Sequence, residues 1–422
     1  MNLLQITSLL IVLAGAFGAV NYLFLKLPAA IGILAVALAA SLATMALDAV
    51  VPGFAIDDQL RLLVSEIDFS QALLEGMLGL LLFAGALHVK LEDLAGQWRV
   101  VALMATIGVG LSTVIIGTGF SWLTGMPFLV ALVFGVIVTP TDPVAVLGVL
   151  RAARLSRSLE TKIAGESLFN DGVGYVVFLV LVGLAFAQGG GHGGGAEADL
   201  ADAALLFAQE ALGGAVLGTA LGWLTFRVMR RIDDPSLEVL LTLGLAFGGY
   251  ELAIALHVSA PIMAVVAGLL IGHTGPKGGM SVATRAHVDS FWSLIDEILN
   301  AVLFLLIGIE VFAVVFSEGI LLAGAAAIVL ALVARFVAVA LPIYALSPFR
   351  GFSPGVIPIM TWGGLKGGIS VALALSLPDS EWKPLILGAT YMIVVFSIIV
   401  QGLTVGNLAR HLGREPELDL DP

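Results

Sequence analysis

Long apolar stretches run from the first residues of this chain almost to its last, and they limit its fold more than any other feature. A membrane-spanning helix needs about 20 consecutive, mostly apolar residues. Thirteen such stretches can be placed in the 422 residues, with approximate bounds at 3–25, 29–47, 70–89, 100–123, 127–150, 160–187, 203–226, 236–256, 260–274, 291–316, 319–346, 354–377 and 384–407. The composition agrees, because 59% of the residues are hydrophobic and only 12% are charged. The sequence therefore predicts an all-α polytopic membrane protein with about thirteen transmembrane helices.

The basic residues test this count independently, because the cytoplasmic loops of membrane proteins are enriched in lysine and arginine. With thirteen spans, the loops and span ends on one side hold fifteen of the nineteen lysines and arginines. The other side holds Arg61 and Lys383, while Arg335 and Lys366 fall inside spans. This asymmetry predicts that the N-terminus lies outside and the C-terminus in the cytoplasm. The formal net charge of -12 argues against nucleic acid as a partner, whereas membrane lipid is expected around the spans.

Two of the spans are interrupted at their centres. Span five contains VTPTDPVAV (138–146), in which Asp142 lies between two prolines that each remove a backbone donor from the helix. Span twelve contains TWGGLKGGIS (361–370), in which four glycines flank Lys366. Both spans are fifth in a six-span unit, so the sequence predicts inverted six-helix repeats with two discontinuous helices. The predicted organisation is 1–187 for the first repeat, 188–235 for a linker and connecting span seven, 236–409 for the second repeat and 410–422 for a short cytoplasmic tail.

Interruptions at matching positions of two halves indicate the binding site of a secondary transporter. Unwound backbone at membrane depth is tolerated only where it is buried in protein or lines a watery cavity. The half-helix ends carry partial charges that Asp142 and Lys366 can compensate. The alternative is that the prolines merely kink a packed helix, which Asp142 then caps. An aspartate at the membrane centre costs about 2.5–3.5 kcal/mol on insertion scales, which favours a site.

A second polar cluster lies in span six, in the sequence GESLFNDGVG (165–174). At helical spacing Ser167 and Asp171 share one face, and Glu166 and Asn170 share the adjoining one. Carboxylate, hydroxyl and amide oxygens suit hard cations, and the chain has no cysteine that would favour a softer metal. Asp142 and Asp171 are therefore candidate ligands of a small alkali cation such as Na⁺. Each can bind a proton instead, and that competition is the chemical basis of an exchanger.

Arg335 lies inside span eleven and needs a buried partner, because an unpaired guanidinium is costly at that depth. Glu166 is the candidate partner, and the pair is expected to hold the two halves together. Lys366 is expected to compensate the half-helix ends or Asp142.

Three other residues carry weaker signals. Glu75 and Glu310 lie near span ends, where the interface can satisfy a carboxylate, although either could line the ion path. His192 lies in GGGHGGGAEADLAD, a flexible linker of low complexity. A lone histidine in such a linker is expected to be inert rather than a metal ligand.

Other functional classes use similar residues. A channel would use the same oxygens, but paired interruptions with buried titratable acids favour alternating access. A membrane-embedded protease is disfavoured because neither GxGD nor HExxH occurs in the chain, so it is not expected to be an enzyme. The intact acids also disfavour a sensor that has lost transport.

Six motifs carry a resemblance to a known family: LLFAGALHV (81–89), TDP (141–143), GESLFNDG (165–172), HVSAPIMAVVAGLLIG (257–272), NAVLFLLIGIE (300–310) and WGGLKGGISVALALSLP (362–378). In this order they resemble the monovalent cation:proton antiporters, in the branch of the bacterial NhaP-type and animal sodium/proton exchangers. The resemblance spans nearly the whole chain.

The resemblance implies a thirteen-helix inverted-repeat fold, a homodimer in the bacterial inner membrane, and antiport of Na⁺ or Li⁺ against H⁺ by alternating access, without a cofactor. It implies that Asp171 carries the transported ion or proton. By the same resemblance, further ion ligands are Asp142, Thr141 and Ser167. Asn170 is implied to be a supporting residue, and Glu166 with Arg335 to form a buried ion pair. Relatives with Asn-Asp at 170–171 are generally electroneutral, as expected when one carboxylate exchanges one H⁺ for one Na⁺.

The sequence departs from the family pattern at two positions. Lys366 stands where relatives usually have arginine, which keeps the charge but loses the bidentate fork. Ala84 stands where many relatives have an acid, so a third carboxylate ligand is missing. K⁺/H⁺ exchange at the same site stays open at this point, because cavity size and ligand geometry decide the cation.

Overall fold

The computed structural model describes residues 3–50, 72–143, 146, 157–186, 200–274, 280–314, 317–348, 351–352 and 355–412. In this part of the chain all regular structure is helical. In chain order the helices are α1 (Leu3–Val20), α2 (Ala29–Val50), α3 (Leu78–His88), α4 (Leu91–Thr124), α5 (Phe128–Ile137), α6 (Arg157–Phe186), α7 (Leu200–Met229), α8 (Pro235–Ala255), α9 (Ala260–Thr274), α10 (Val282–Ile309), α11 (Glu318–Leu346), α12 (Val356–Trp362), α13 (Gly368–Leu375) and α14 (Lys383–Leu412).

These helices confirm the predicted all-α polytopic fold. Within the described residues eight helices are long and apolar enough to cross a membrane, namely α1, α2, α4, α6, α7, α8, α11 and α14. Helices α3, α5 and α9 are also apolar but shorter. Each of the thirteen predicted spans overlaps at least one helix. The chain is therefore a multi-pass membrane protein.

Both predicted interruptions are present. Helix α12 ends at Trp362 and α13 begins at Gly368, with non-helical backbone between them. Helix α5 ends at Ile137, and the backbone is non-helical from Thr139 to Asp142. Apart from Val146, the rest of span five after Pro143 lies outside the described residues. The breaks fall where proline or glycine clusters make a continuous helix unfavourable.

The buried apolar side chains form two cores. The larger core draws on α1, α2, α4–α6 and α10–α14, and includes Phe120 and Phe134 with ring centroids 4.1 Å apart. The smaller core draws mainly on α3, α7–α9 and the first half of α10, and includes Phe83 and Trp292 with centroids 4.7 Å apart. Each core combines helices from both halves of the sequence. The boundary between the cores therefore passes between neighbouring helices rather than at the middle of the chain.

Helices α3 and α9 approach each other closely because glycines lie at their contact. A Cβ atom placed on Gly268 would lie 2.6 Å from the backbone oxygen of Phe83 and 2.8 Å from the Cβ of Ala86. Gly272 is pressed in the same way against the backbone of Leu87, one turn further on. Small residues at such contacts are the usual means of packing membrane helices, since lipid provides no hydrophobic force between them.

Several sequence predictions concern residues or properties beyond this description. His192, most of the glycine-rich linker and residues 413–422 lie outside the described residues, as does the side chain of Glu75. The inverted halves with their boundaries, and the orientation across the membrane, stay predictions.

We expect Gly268→Ala to destabilise the fold, because the new methyl group would collide with backbone atoms that cannot move independently. Overpacking of this kind costs about 1–3 kcal/mol. Gly248→Ala is the matched control, since a Cβ atom at Gly248 has no neighbour within 4 Å. Thermal unfolding in detergent should show a lower midpoint for Gly268→Ala alone, and equal midpoints would contradict the close contact of α3 with α9.

Candidate cation-binding site

The two interruptions lie against each other and satisfy each other's backbone groups. The backbone N–H of Asp142 donates to the carbonyl of Leu365 at 2.8 Å. The ammonium group of Lys366 donates to the carbonyl of Thr139 at 2.7 Å, just beyond the C-terminal end of α5. A cation is favourable there, because the C-terminal end of a helix carries partial negative charge. Each interrupted span thus provides a hydrogen-bond partner for a backbone group that the interruption of the other span releases.

Asp142 lies at an N-terminal helix end, that of α13. Its side chain packs against Gly367, the residue that precedes α13, so closely that a Cβ atom on Gly367 would lie 2.6 Å from Oδ2 and 2.7 Å from the Cβ of Asp142. The N-terminal end of a helix carries partial positive charge, which stabilises a carboxylate. Gly367 therefore gives Asp142 the space to reach that end.

A wide, π-helical turn in α14 supports the break in span twelve. This turn, Ser397–Gln401, brings two polar side chains to the interrupted backbone. Ser397 Oγ accepts from the backbone N–H of Lys366 at 2.8 Å, and Gln401 Nε2 donates to the carbonyl of Trp362 at 3.0 Å. Single π-helical turns are frequent at functional sites, and here the turn satisfies backbone groups that the break releases.

The polar residues of α6 form a network with Thr141. Asn170 accepts from the backbone N–H of Thr141 at 3.3 Å, and its Nδ2 donates to Thr141 Oγ1 at 2.8 Å. The hydroxyl groups of Thr141 and Ser167 are 2.9 Å apart. Because Thr141 Oγ1 accepts from Asn170, its own hydrogen is available for Ser167. Asn170 and Ser167 thus hold Thr141, and through it the unwound segment, against α6.

Glu166 and Arg335 form a buried, bidentate ion pair between α6 and α11. Arg335 NH2 donates to Glu166 Oε2 at 2.6 Å, and NH1 donates to Oε1. The same guanidinium donates to the carbonyl of Met360 in α12, from Nε at 3.3 Å and from NH2 at 3.2 Å. Asn170 Nδ2 also lies 3.4 Å from Glu166 Oε1, which connects the ion pair to the Thr141 network.

A cavity of about 70 Å³ brings the two predicted ion-binding carboxylates together. Thr141, Asp142 and Asp171 all line it. Asp171 is only 5% exposed, and its Oδ1 is buried without a hydrogen-bond partner in the described structure. A carboxylate oxygen in that position is available to a cation or a proton.

The structure places the other predicted residues in different positions. Ser167 and Asn170 are not among the cavity-lining residues and lie behind Thr141. Glu310 is buried in the turn after α10, away from the cavity lining. Thr141, Asp142 and Asp171 therefore lie at the cavity, with the remaining residues arranged around them.

Comparisons with known proteins agree with this architecture. Residues 7–411 match the family model described as sodium/hydrogen exchanger, transmembrane. The chain is 44% identical over 421 residues to the Na⁺/H⁺ antiporter NhaP of Pseudomonas aeruginosa, covering 97% of each protein. It is 35% identical over 366 residues to the Na⁺/H⁺ antiporter NhaH of Halobacillus dabanensis, covering 85% of this chain and 87% of that protein. The chain belongs to the sodium/hydrogen exchanger family.

A solved structure shows the same fold. The sodium proton antiporter MjNhaP1 of Methanocaldococcus jannaschii, solved at pH 8, matches with a TM-score of 0.74 at 20% sequence identity. The match covers 98% of this chain and 100% of that one. The family resemblance and the all-helical antiporter fold are thereby confirmed, while the inverted repeats stay a prediction.

Sequence reasoning missed three polar residues of the candidate site. Asn300 and Ser370 line the cavity, and Ser397 accepts from the backbone of Lys366. Asn300 and Ser370 lie in motifs quoted above for the family resemblance, but each is a neutral side chain that begins or interrupts an apolar run of its helix. A pattern search gives no reason to select such a residue before the helix is placed against the cavity.

We expect Gly367→Ala to reduce transport about ten- to hundredfold, because the added methyl group must displace Asp142 and small misplacements of reacting groups have effects of this size. Gly244→Ala, where a Cβ atom meets nothing within 4 Å, is the control. Ion-driven proton movement in liposomes measures both. Normal transport by Gly367→Ala would show that the position of Asp142 does not matter.

Arg335→Ala should lower the free energy of unfolding by about 3–5 kcal/mol, since it leaves Glu166 buried without its partner. The control is Arg285→Ala, which breaks a pair with Asp289 whose side chains are 38% and 43% exposed. Exposed pairs contribute about 0–1 kcal/mol. Thermal unfolding in detergent compares the variants, and similar midpoints would argue that the Glu166–Arg335 pair has no structural role.

Proposed function

We propose that this protein exchanges Na⁺ or Li⁺ for H⁺ across the membrane and that both ions bind in turn at Asp171. The observation that carries the proposal is the buried Oδ1 of Asp171, which lines a cavity beside Asp142 and has no hydrogen-bond partner in the described structure. Burying a charged oxygen without a partner is costly. A bound cation or a bound proton removes that cost. Both ions bind at the same oxygen of Asp171 and therefore compete for it.

The charges of the site support a 1:1 exchange. The predicted site contains three carboxylates, Asp142, Glu166 and Asp171, and two cationic side chains, Arg335 and Lys366. Their formal charges leave one negative charge, which one monovalent ion neutralises. Replacing Na⁺ by H⁺ leaves that balance unchanged, so the exchange is electroneutral.

The choice of sodium over potassium is supported by the relatives. The similar proteins from Pseudomonas aeruginosa and Halobacillus dabanensis are named Na⁺/H⁺ antiporters, which disfavours the alternative of K⁺/H⁺ exchange. The oxygens of Thr141, Asp142 and Asp171 are hard ligands suited to a small alkali cation.

Alternating access is supported by the position of the cavity at the boundary of the two cores. Leu78 and Leu82 of the smaller core form one part of its lining, and Leu303 of the larger core forms another. The interrupted spans and α6 are connected by the bonds of Asp142, Lys366 and Thr141 described above. We therefore assign them to one moving unit, which shifts against α3 and α7–α9 and opens the cavity to each side in turn.

The proposal also covers the oligomeric state, the membrane and the orientation of the chain. The homodimer and the bacterial inner membrane follow from the family resemblance, and the outside N-terminus and cytoplasmic C-terminus from the basic residues. The transported ions are the ligands of the site, and no cofactor is proposed.

The test uses liposomes that contain the purified protein, a pH dye and an acidic interior. Added Na⁺ or Li⁺ should make the interior alkaline at a rate that does not change when valinomycin and K⁺ clamp the voltage. A larger response to K⁺ than to Na⁺ would select the alternative, and a rate that depends on the clamp would refute electroneutral exchange.

Asp171→Asn should reduce exchange to the rate of protein-free liposomes, because an amide binds neither the proton nor the cation as a carboxylate does. Asp379→Asn is the matched control, since the side chain of Asp379 is 99% exposed. Comparable insertion and thermal stability must accompany the loss. Full exchange by Asp171→Asn would remove the central part of the proposal.

A further inference from the structure

We propose that the second half of the chain supplies two neutral ligands to the transported cation, the hydroxyl oxygen of Ser370 and the amide oxygen of Asn300. The inference rests on the proposed exchange function and adds to its binding site. The ion ligands predicted from the sequence all come from spans five and six. Ser370 and Asn300 come instead from α13 and α10, and both line the same cavity as Asp171.

Ser370 is a buried hydroxyl that has no hydrogen-bond partner in the described structure. It is 1% exposed, and its Oγ lies in the first turn of α13. A serine in a helix commonly donates to a carbonyl on the preceding turn. Ser376, at the other end of the same helix, does so to Leu373 at 2.9 Å. For Ser370 the preceding turn is replaced by the interrupted backbone, and the hydroxyl remains available to the cavity.

Burying a hydroxyl without a partner is costly. A ligand in the cavity would remove that cost. The carboxylate oxygen of Asp171 at the same cavity is also unpartnered in the described structure, and a cation is a ligand that both oxygens can bind together.

The orientation of Asn300 follows from its contacts within α10. Its Nδ2 donates to the backbone carbonyl of Asp296 at 2.7 Å and to Asp296 Oδ1 at 3.1 Å. A backbone carbonyl only accepts, so Asn300 must present its NH₂ group there. Both amide hydrogens are then engaged, and Oδ1 is left as the atom that Asn300 offers to the cavity. Asp296 thus acts as the positioning residue for Asn300.

Asp171 Oδ1, Ser370 Oγ and Asn300 Oδ1 are one charged and two neutral oxygens around a cavity of about 70 Å³. A hard cation binds all three types of oxygen. A protonated Asp171 has a single O–H and can donate to only one of the neutral oxygens, whereas a cation binds both. The neutral oxygens therefore strengthen cation binding more than proton binding, and they shift the competition at Asp171 toward the cation.

The test compares Ser370→Ala and Asn300→Leu with wild type and with Ser376→Ala, the control on the same helix. Liposome assays give the apparent KM for Na⁺ and the maximal rate at fixed pH. Na⁺-dependent thermal stabilisation of the detergent-purified protein gives binding without turnover. We expect Ser370→Ala and Asn300→Leu each to raise the apparent KM and the half-stabilising Na⁺ concentration about three- to tenfold, the effect of losing one contact of hydrogen-bond strength. The maximal rate should stay within about twofold of wild type.

Unchanged KM and unchanged stabilisation in Ser370→Ala and Asn300→Leu would overturn the inference. A lower maximal rate with unchanged KM would also overturn it, because that result indicates a structural role. Ser370→Ala removes a single oxygen and leaves the helix intact, so it tests the idea even if Asn300→Leu disturbs α10. If wild type does not exchange ions, the proposed function fails by itself, and the Na⁺-dependent stabilisation still decides whether the two oxygens bind the cation.

Discussion

Two helices interrupted at the same depth depend on each other, because the bilayer offers no water to satisfy the backbone groups that an interruption releases. Asp142 donates its backbone N–H to the carbonyl of Leu365, and Lys366 donates to the carbonyl of Thr139. These bonds bring the end of α5 and the start of α13 together. Asp142 can then lie at the positive end of α13 while Lys366 lies at the negative end of α5. The cavity, its carboxylates and the proposed ion path all follow from this crossing.

The Glu166–Arg335 ion pair has a different part in the same arrangement. A buried ion pair is weak evidence of stability, since desolvation can cancel the attraction of its charges. Arg335 of this pair also donates to the carbonyl of Met360, and Glu166 contacts Asn170, so the pair connects α6, α11 and α12. Asn170 extends this connection to Thr141 and hence to the unwound segment. The pair therefore positions α6, and with it Asp171, relative to the interrupted backbone of span five, whatever its net contribution to stability.

Much of the site can be predicted from the sequence, and the limits have a physical cause. Asp142 and Asp171 are recognisable because a carboxylate within an apolar span is costly and must have a purpose. Glu166 and Arg335 can be matched because each needs a partner of opposite charge. Asn300 and Ser370 are neutral, so each costs less in a membrane helix than a charged residue does. Such residues acquire meaning only when the helix is rotated toward the cavity, and rotation depends on contacts far away in the chain.

The sequence by itself determined the helical fold, the number of spans and the places where two spans break. Those properties are local, because each spanning segment must satisfy its own backbone and proline or glycine acts where it stands. The tertiary structure decided which polar groups meet. The carbonyl of Leu365 reaches Asp142, and the wide turn at Ser397 reaches Lys366. Contacts between segments so distant in the chain depend on the packing of the whole bundle, which no local pattern records.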